Sequence, residues 1–316
     1  MELLNAITTI VTVVIIVGVV IHRYITANPI KPGKAFSSGI EQERVTASIW
    51  DRIQIKNGKK RALKCIKQYV KQKEERHISV NEAKELSEKF IKDIITMVNA
   101  RFPDNGFYDT EREVVLTSSS SNRKNAIKDY NGLAWTCGVT EISYAYFEAW
   151  MDKNTGNSNF VEKLIANVLF HEAGHHTFRL FTGLHITRRN KIMYYSYIDE
   201  CFADLYCFKT MGMGREEASK FMENKYKNVM KTKNNYKYSH SHPSNTYRIE
   251  NLARGIFAEE SLKDIAYYIN AIKGREIIST ETVKEVANEV ISFHKTHPYL
   301  GAWFTLSDTK CDKERH

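Results

Sequence analysis

The segment His171-Glu172-Ala173-Gly174-His175 sets two imidazoles four residues apart with a glutamate between them. On a helix, four residues make just over one turn, so both rings leave the same face and can share one tetrahedral zinc ion. Glu172, one residue on from the first histidine, flanks that ion without binding it. A carboxylate in that place can take a proton from an activated water and return it to a leaving amine, the general acid/base work of metal-assisted amide hydrolysis. Val168, Leu169 and Phe170 run straight into the motif and predict a buried site rather than a surface pair of histidines.

Such a site needs a third protein ligand. A metzincin continuation would put glycine and histidine at positions 178 and 181, which are Phe178 and Phe181 here, so that class is excluded. The segment Asp199-Glu200-Cys201-Phe202-Ala203-Asp204 offers the ligand instead, in a helical stretch whose Ile198, Phe202, Leu205 and Phe208 are predicted to face a core. Glu200 can supply the third ligand. Asp204, one turn later, can accept a hydrogen bond from the outer nitrogen of a ligating histidine and fix its tautomer.

These residues carry a resemblance: the chain is similar to the membrane-linked gluzincin peptidases typified by the heat-shock protease HtpX and the CAAX prenyl endopeptidases. Three blocks match in order: HEAGH from His171, the E-x-x-A-D pattern of Glu200, Ala203 and Asp204, and His242-Pro243 followed by Arg248-Ile249. They fall between Asn131 and Leu252, somewhat over a third of the chain. The resemblance implies a zinc peptidase with a helical catalytic domain that binds a peptide along a strand edge near Gly132 to Thr140. It implies too that His242 lies beside the active centre, against substrate or metal, and that Arg248 anchors that region. The best-known members carry several membrane spans, whereas here Phe178 to Tyr197 is interrupted by Arg179, Arg188, Arg189 and Lys191. A relative with one span or a soluble domain fits better than an intramembrane chamber for prenylated substrates. For the oxyanion that forms during hydrolysis, His242, Arg248, Tyr195 and Tyr197 are all residue types able to donate, and the sequence does not choose among them.

Several elements must position these groups. Ser79 with Glu82 forms a capping box that predicts a helix from Val80 to about Arg101, ended by Pro103 and the turn Asp104-Asn105-Gly106. Glu113 to Thr117 and Gly132 to Thr140 read as extended, separated by the polar tract Ser118 to Asn122, and Glu141 to Met151 reads as helical. Asn159 with Glu162 predicts the next helix start. There Val161, Leu164, Ile165, Val168 and Leu169 form an apolar stripe that continues into His171 and His175, so the histidines are expected to point inward.

The chain has 316 residues, 42% hydrophobic, 26% charged and 11% aromatic, which fits a folded body and excludes collagen-like and acidic disordered classes. Its five cysteines are odd in number and form no C-x-x-C pair, so neither a disulfide framework nor a thiolate zinc site is indicated. Leu3 to Ile21 carry no charge and at helical rise extend roughly 28 Å, enough to cross a bilayer once. Between Arg23 and Arg76 there are 14 Lys or Arg against five acids, an excess equal to the net charge of +9 for the whole chain. Beside a span, that asymmetry predicts a cytoplasmic body. Lys59 to Arg76 reads as a basic helix, either adhering to anionic lipid head groups or presenting a solvated face. No nucleic-acid module is recognisable, so no nucleic acid is expected as a partner.

The sequence therefore predicts a mainly α fold with a small β-sheet (α+β), a zincin-like metallopeptidase domain behind one N-terminal transmembrane helix. Its parts are an anchor at 1–22, a basic juxtamembrane helical region at 23–78, the metallopeptidase domain at 79–300 and a tail at 301–316. The expected function is that of a membrane-anchored zinc endopeptidase with one Zn2+ per chain on His171, His175 and Glu200. Its expected partners are a protein or peptide substrate and the bilayer, through residues 3–21. The alternative from another class is a noncatalytic membrane adaptor with a structural zinc site, which leaves Glu172 without a purpose.

Overall fold

The computed structural model describes residues 49–102, 114–135, 138–153, 158–182, 192–229, 231, 236–252 and 259–296. Two helices open it, α1 (Ile49–Glu74) and α2 (Val80–Arg101). The second begins where the capping box predicts: Ser79 Oγ accepts from the Glu82 backbone N–H at 3.1 Å, and Glu82 Oε2 accepts from the Ser79 N–H at 2.7 Å. Ala62, Cys65, Ile66, Tyr69 and Val70 of α1 and Phe90, Ile94, Ile95 and Val98 of α2 are buried in one core together with the helices that follow.

A three-stranded sheet comes next, formed by β1 (Val114–Thr117), β2 (Gly132–Ala134) and β3 (Thr140–Ser143), with the one-turn helix α3 (Arg123–Ala126) between β1 and β2. The strand order is β1-β3-β2. β1 runs parallel to β3, with Val114 opposite Thr140, and β2 runs antiparallel to it, with Gly132 opposite Ile142. The expectation of one extended stretch from Gly132 to Thr140 is corrected here to two strands of a hairpin. Gly138 at φ +86° makes the turn, in a conformation that residues with a side chain rarely adopt, and Trp135 N–H donates back to the Val139 carbonyl at 2.9 Å. The expected helix from Glu141 likewise starts later, as α4 (Tyr144–Met151), because Glu141 to Ser143 belong to β3.

Two long helices form the centre, α5 (Ser158–Thr182) and α6 (Ile192–Thr210). From Leu164 to Phe170 every residue of α5 is buried, so this part of the helix is covered on all sides rather than along one stripe. Asn159 lies inside the first turn rather than capping it, and its side chain accepts from Arg101 of α2. The remaining elements are α7 (Arg215–Asn224) with a π-turn (Lys225–Val229) joined to it, α8 (Asn245–Asn251), α9 (Glu259–Lys273) and α10 (Thr280–Thr296).

The membrane readings are corrected at this point. Residues 3–21 lie outside the described residues, and among the described residues no helix is long and apolar enough to cross a membrane. The buried helices are no exception, since α5 carries Glu162, Lys163 and Glu172 and α6 carries Asp199, Glu200, Asp204 and Lys209. The transmembrane helix in front of the domain, the membrane-anchored enzyme, the bilayer as partner and the single-pass topology with a cytoplasmic catalytic domain are therefore withdrawn. The apolar residues of α1 that would enter a lipid surface, among them Ile66, Tyr69 and Val70, are buried inside the protein.

Candidate metal centre

Helices α5 and α6 pack antiparallel, so that Gly174 meets Ala203, His171 meets Asp204 and His175 meets Asp199 and Glu200. The close approach depends on Gly174. A Cβ placed there would stand 2.7 Å from the Ala203 Cα and 3.1 Å from its carbonyl oxygen, both backbone atoms that cannot step aside. The small residues within HEAGH and E-x-x-A-D thus allow the contact that carries Glu200 to the two histidines.

His171, His175 and Glu200 form one group whose ligand atoms all lie within 4.8 Å of one another. The two Nε2 atoms are 3.2 Å apart, His175 Nε2 is 3.4 Å from Glu200 Oε1, and His171 Nε2 is 3.5 Å from Glu200 Oε2. Ligand atoms bound to zinc at about 2.0 to 2.1 Å in a tetrahedral arrangement stand about 3.3 Å apart. The donor set therefore fits a zinc ion. Glu200 Oε2 is also buried and accepts no hydrogen bond among the described residues, a cost that a bound cation would remove.

The outer nitrogens are both occupied by carboxylates. His171 Nδ1 is 3.0 Å from Asp204 Oδ1, and His175 Nδ1 is 2.8 Å from Asp199 Oδ1. This pairing puts the ring proton on Nδ1 and leaves Nε2 free to ligate. Asp204 is in turn held by Arg248, whose Nε and Nη2 each donate to it at 2.7 Å, while Arg248 Nη1 stands 3.3 Å from Glu200 Oε2. The field of these groups favours a cation between the rings. Burial pulls the His171 imidazole down, yet the carboxylates of Asp204 and Glu200 beside it outweigh that and hold its pKa at about 9. Burial opposes charge on Glu200 and Asp204 as well, but Arg248 and the imidazoles keep both well below the usual carboxylate range.

The third block arrives on α8. Ser244 caps that helix, its Oγ accepting from the Tyr247 N–H at 3.2 Å, and Tyr268 Oη donates to the same Oγ at 3.0 Å. His242 stands just ahead, its side chain 57% exposed and its Nε2 3.2 Å from Glu200 Oε1. It is at the centre's edge and outside the three-residue ligand group. Of the tyrosines considered as oxyanion donors, Tyr197 donates to the Ser239 carbonyl at 2.8 Å and so ties down the turn that carries His242.

Glu172 is buried against β2. A Cβ on Gly132 would lie 2.5 Å from Glu172 Oε1 and 2.5 Å from Val168 Cγ2, so the backbone of this edge strand passes directly over the carboxylate. Sequence reasoning assigned no role to Asp199, although its signal was present as an acid next to Glu200. Which histidine it serves depends on the antiparallel register of α5 and α6. Lys225 and Asn167, half-buried and buried beside the centre, were missed as well and carried no recognisable signal.

No protein-family model, curated protein or solved structure matches the chain.

Proposed function

We propose that this chain is a zinc-dependent endopeptidase of the HtpX-like gluzincin kind, with His171, His175 and Glu200 holding one zinc ion. The observation that carries the reading is the convergence of two Nε2 atoms and a carboxylate, with each imidazole backed by its own aspartate. A zinc ion held there supplies Lewis acidity, polarising a scissile carbonyl and making water a nucleophile near neutral pH.

The chain's own residues do the rest. Glu172 takes the proton of the attacking water and passes it to the departing amine. Gly132 leaves room for that carboxylate beneath the sheet edge, and the edge position of β2 lets an extended peptide add as a further strand beside it. Asp199 and Asp204 hold the imidazoles in the tautomer that ligates, and Arg248 fixes Asp204 while neutralising part of the acid excess. His242, exposed at the edge of the centre, is placed to donate to substrate. The sharpest test is casein cleavage by wild type against Glu172→Gln. The variant is expected to keep its zinc and its melting temperature and to lose about 100- to 10,000-fold in rate. Wild-type-like cleavage by the variant would move the chemistry elsewhere.

A further inference from the structure

The π-turn that follows α7 begins at Lys225, and π-turns inserted after or within α-helices often mark functional positions. The residue as a whole is half-buried, but its ammonium reaches inward and donates to Asn167 Oδ1 at 2.7 Å. Asn167 is 4% exposed, lies one turn before His171 on α5, and spends its other groups on Cys207: its Nδ2 donates to Cys207 Sγ and its carbonyl accepts from that thiol, both at 3.2 Å. Among the described residues Lys225 has no carboxylate in ion-pair contact. Burial and Arg248 outweigh the pull of Cys207, Asp204 and Glu172, so its pKa lies below the usual lysine value. An interior ammonium with only an amide as partner needs negative charge from its wider surroundings.

Part of that charge comes from the metal centre, whose Asp204 and Glu172 act on the ammonium through its seat on Asn167, one turn before His171. Four buried carboxylates, Glu172, Asp199, Glu200 and Asp204, surround the histidines. Set against Arg248 and Lys225, they leave an excess of two negative charges, which is the charge of one divalent cation. We propose that Lys225 is a positioning residue of this centre, acting through its charge: it limits the acid excess to what one divalent ion neutralises and so restrains how tightly the ion is held. The inference rests on the metal reading of the site. Its sign is opposite to that of a scaffold residue, because removing a cation from around a bound cation tightens binding, whereas loosening the scaffold weakens it.

The test is zinc affinity measured by competition with a chromophoric chelator, on wild type, Lys225→Gln and Lys225→Arg, with melting temperature followed in parallel. Lys225→Gln keeps a donor for Asn167 and loses the charge; it is expected to bind zinc on the order of tenfold more tightly than wild type. Lys225→Arg is expected to return to wild-type affinity. Should Lys225→Gln fail to fold, Lys225→Met is the second charge-free variant and carries the same expectation. Unchanged or weaker zinc binding by a folded charge-free variant would overturn the assignment of Lys225 and leave the metal reading standing. A wild-type chain that takes up no zinc would overturn both.

Discussion

Two clusters of charge sit within the folded body, one half-buried and one buried, and only the second has the makings of a site. Where α1, α3 and α4 meet, Arg123 donates to Glu148 and Gln72 and lies over the Tyr69 ring, 5.3 Å from its centroid. Arg123 and Glu148 pair one to one there, and the cluster leaves no convergent set of ligand atoms among the described residues. Between α5 and α6, by contrast, acids outnumber cations, and two ring nitrogens and a carboxylate face a common point. Charge inside the fold is therefore not by itself what marks the centre. Its marks are the imbalance and the convergence, which suit an ion that the chain itself does not provide.

Single substitutions can break this contrast, beginning with the largest effects. Glu200→Gln should leave the fold standing and lose zinc on dialysis, read by elemental analysis, whereas Glu148→Ala should leave zinc content unchanged and destabilise the chain by about 1 to 2 kcal/mol, read by denaturant melts, because the half-buried Arg123 loses its charged partner. If the two variants exchanged these outcomes, the roles of the two clusters would have to be exchanged as well. Next in size are the acids behind the imidazoles. Asp204→Asn and Asp199→Asn should each weaken zinc retention about 10- to 100-fold in a chelator titration. Asp204→Asn should be the worse of the pair, since Asp204 also answers Arg248.

A smaller effect is expected at the sheet edge. Gly132→Ala puts a methyl 2.5 Å from Glu172 Oε1, too close for the carboxylate to stay, and should cut casein turnover on the order of 10-fold with full zinc content, because displaced proton-transfer groups lose rate without touching the ligands. Normal turnover by the Gly132→Ala variant would detach Glu172 from its place under β2. The smallest change belongs to Ser79→Ala, which removes a helix cap remote from the centre and should cost about 1 kcal/mol in a thermal melt while zinc and turnover stay as they are.

How much of this was legible from residue types alone follows from which contacts are local. The two histidines and Glu172 share one turn of helix, and the capping box of α2 spans four residues, so spacing predicts both. Glu200 and Asp204 were legible as a pair one turn apart. The partner of each acid was not, because the register of α5 against α6 is set by Gly174 packing on Ala203, a contact between distant segments of the chain. The hairpin from Gly132 was missed for a similar reason: a run of extended residues does not announce that Gly138 reverses it. The membrane reading came from charge and hydropathy before the domain, and in α1 the apolar residues Ile66, Tyr69 and Val70 beside those charges are spent on the core.

The central claim is that His171, His175 and Glu200 hold a zinc ion in a site built for hydrolysis. Anomalous scattering at the zinc edge from crystals of zinc-loaded protein tests it directly. One peak is expected between α5 and α6, about 2.0 to 2.2 Å from the two Nε2 atoms and a Glu200 carboxylate oxygen. No peak there, or a peak held by other residues while these three remain uncoordinated, would contradict it.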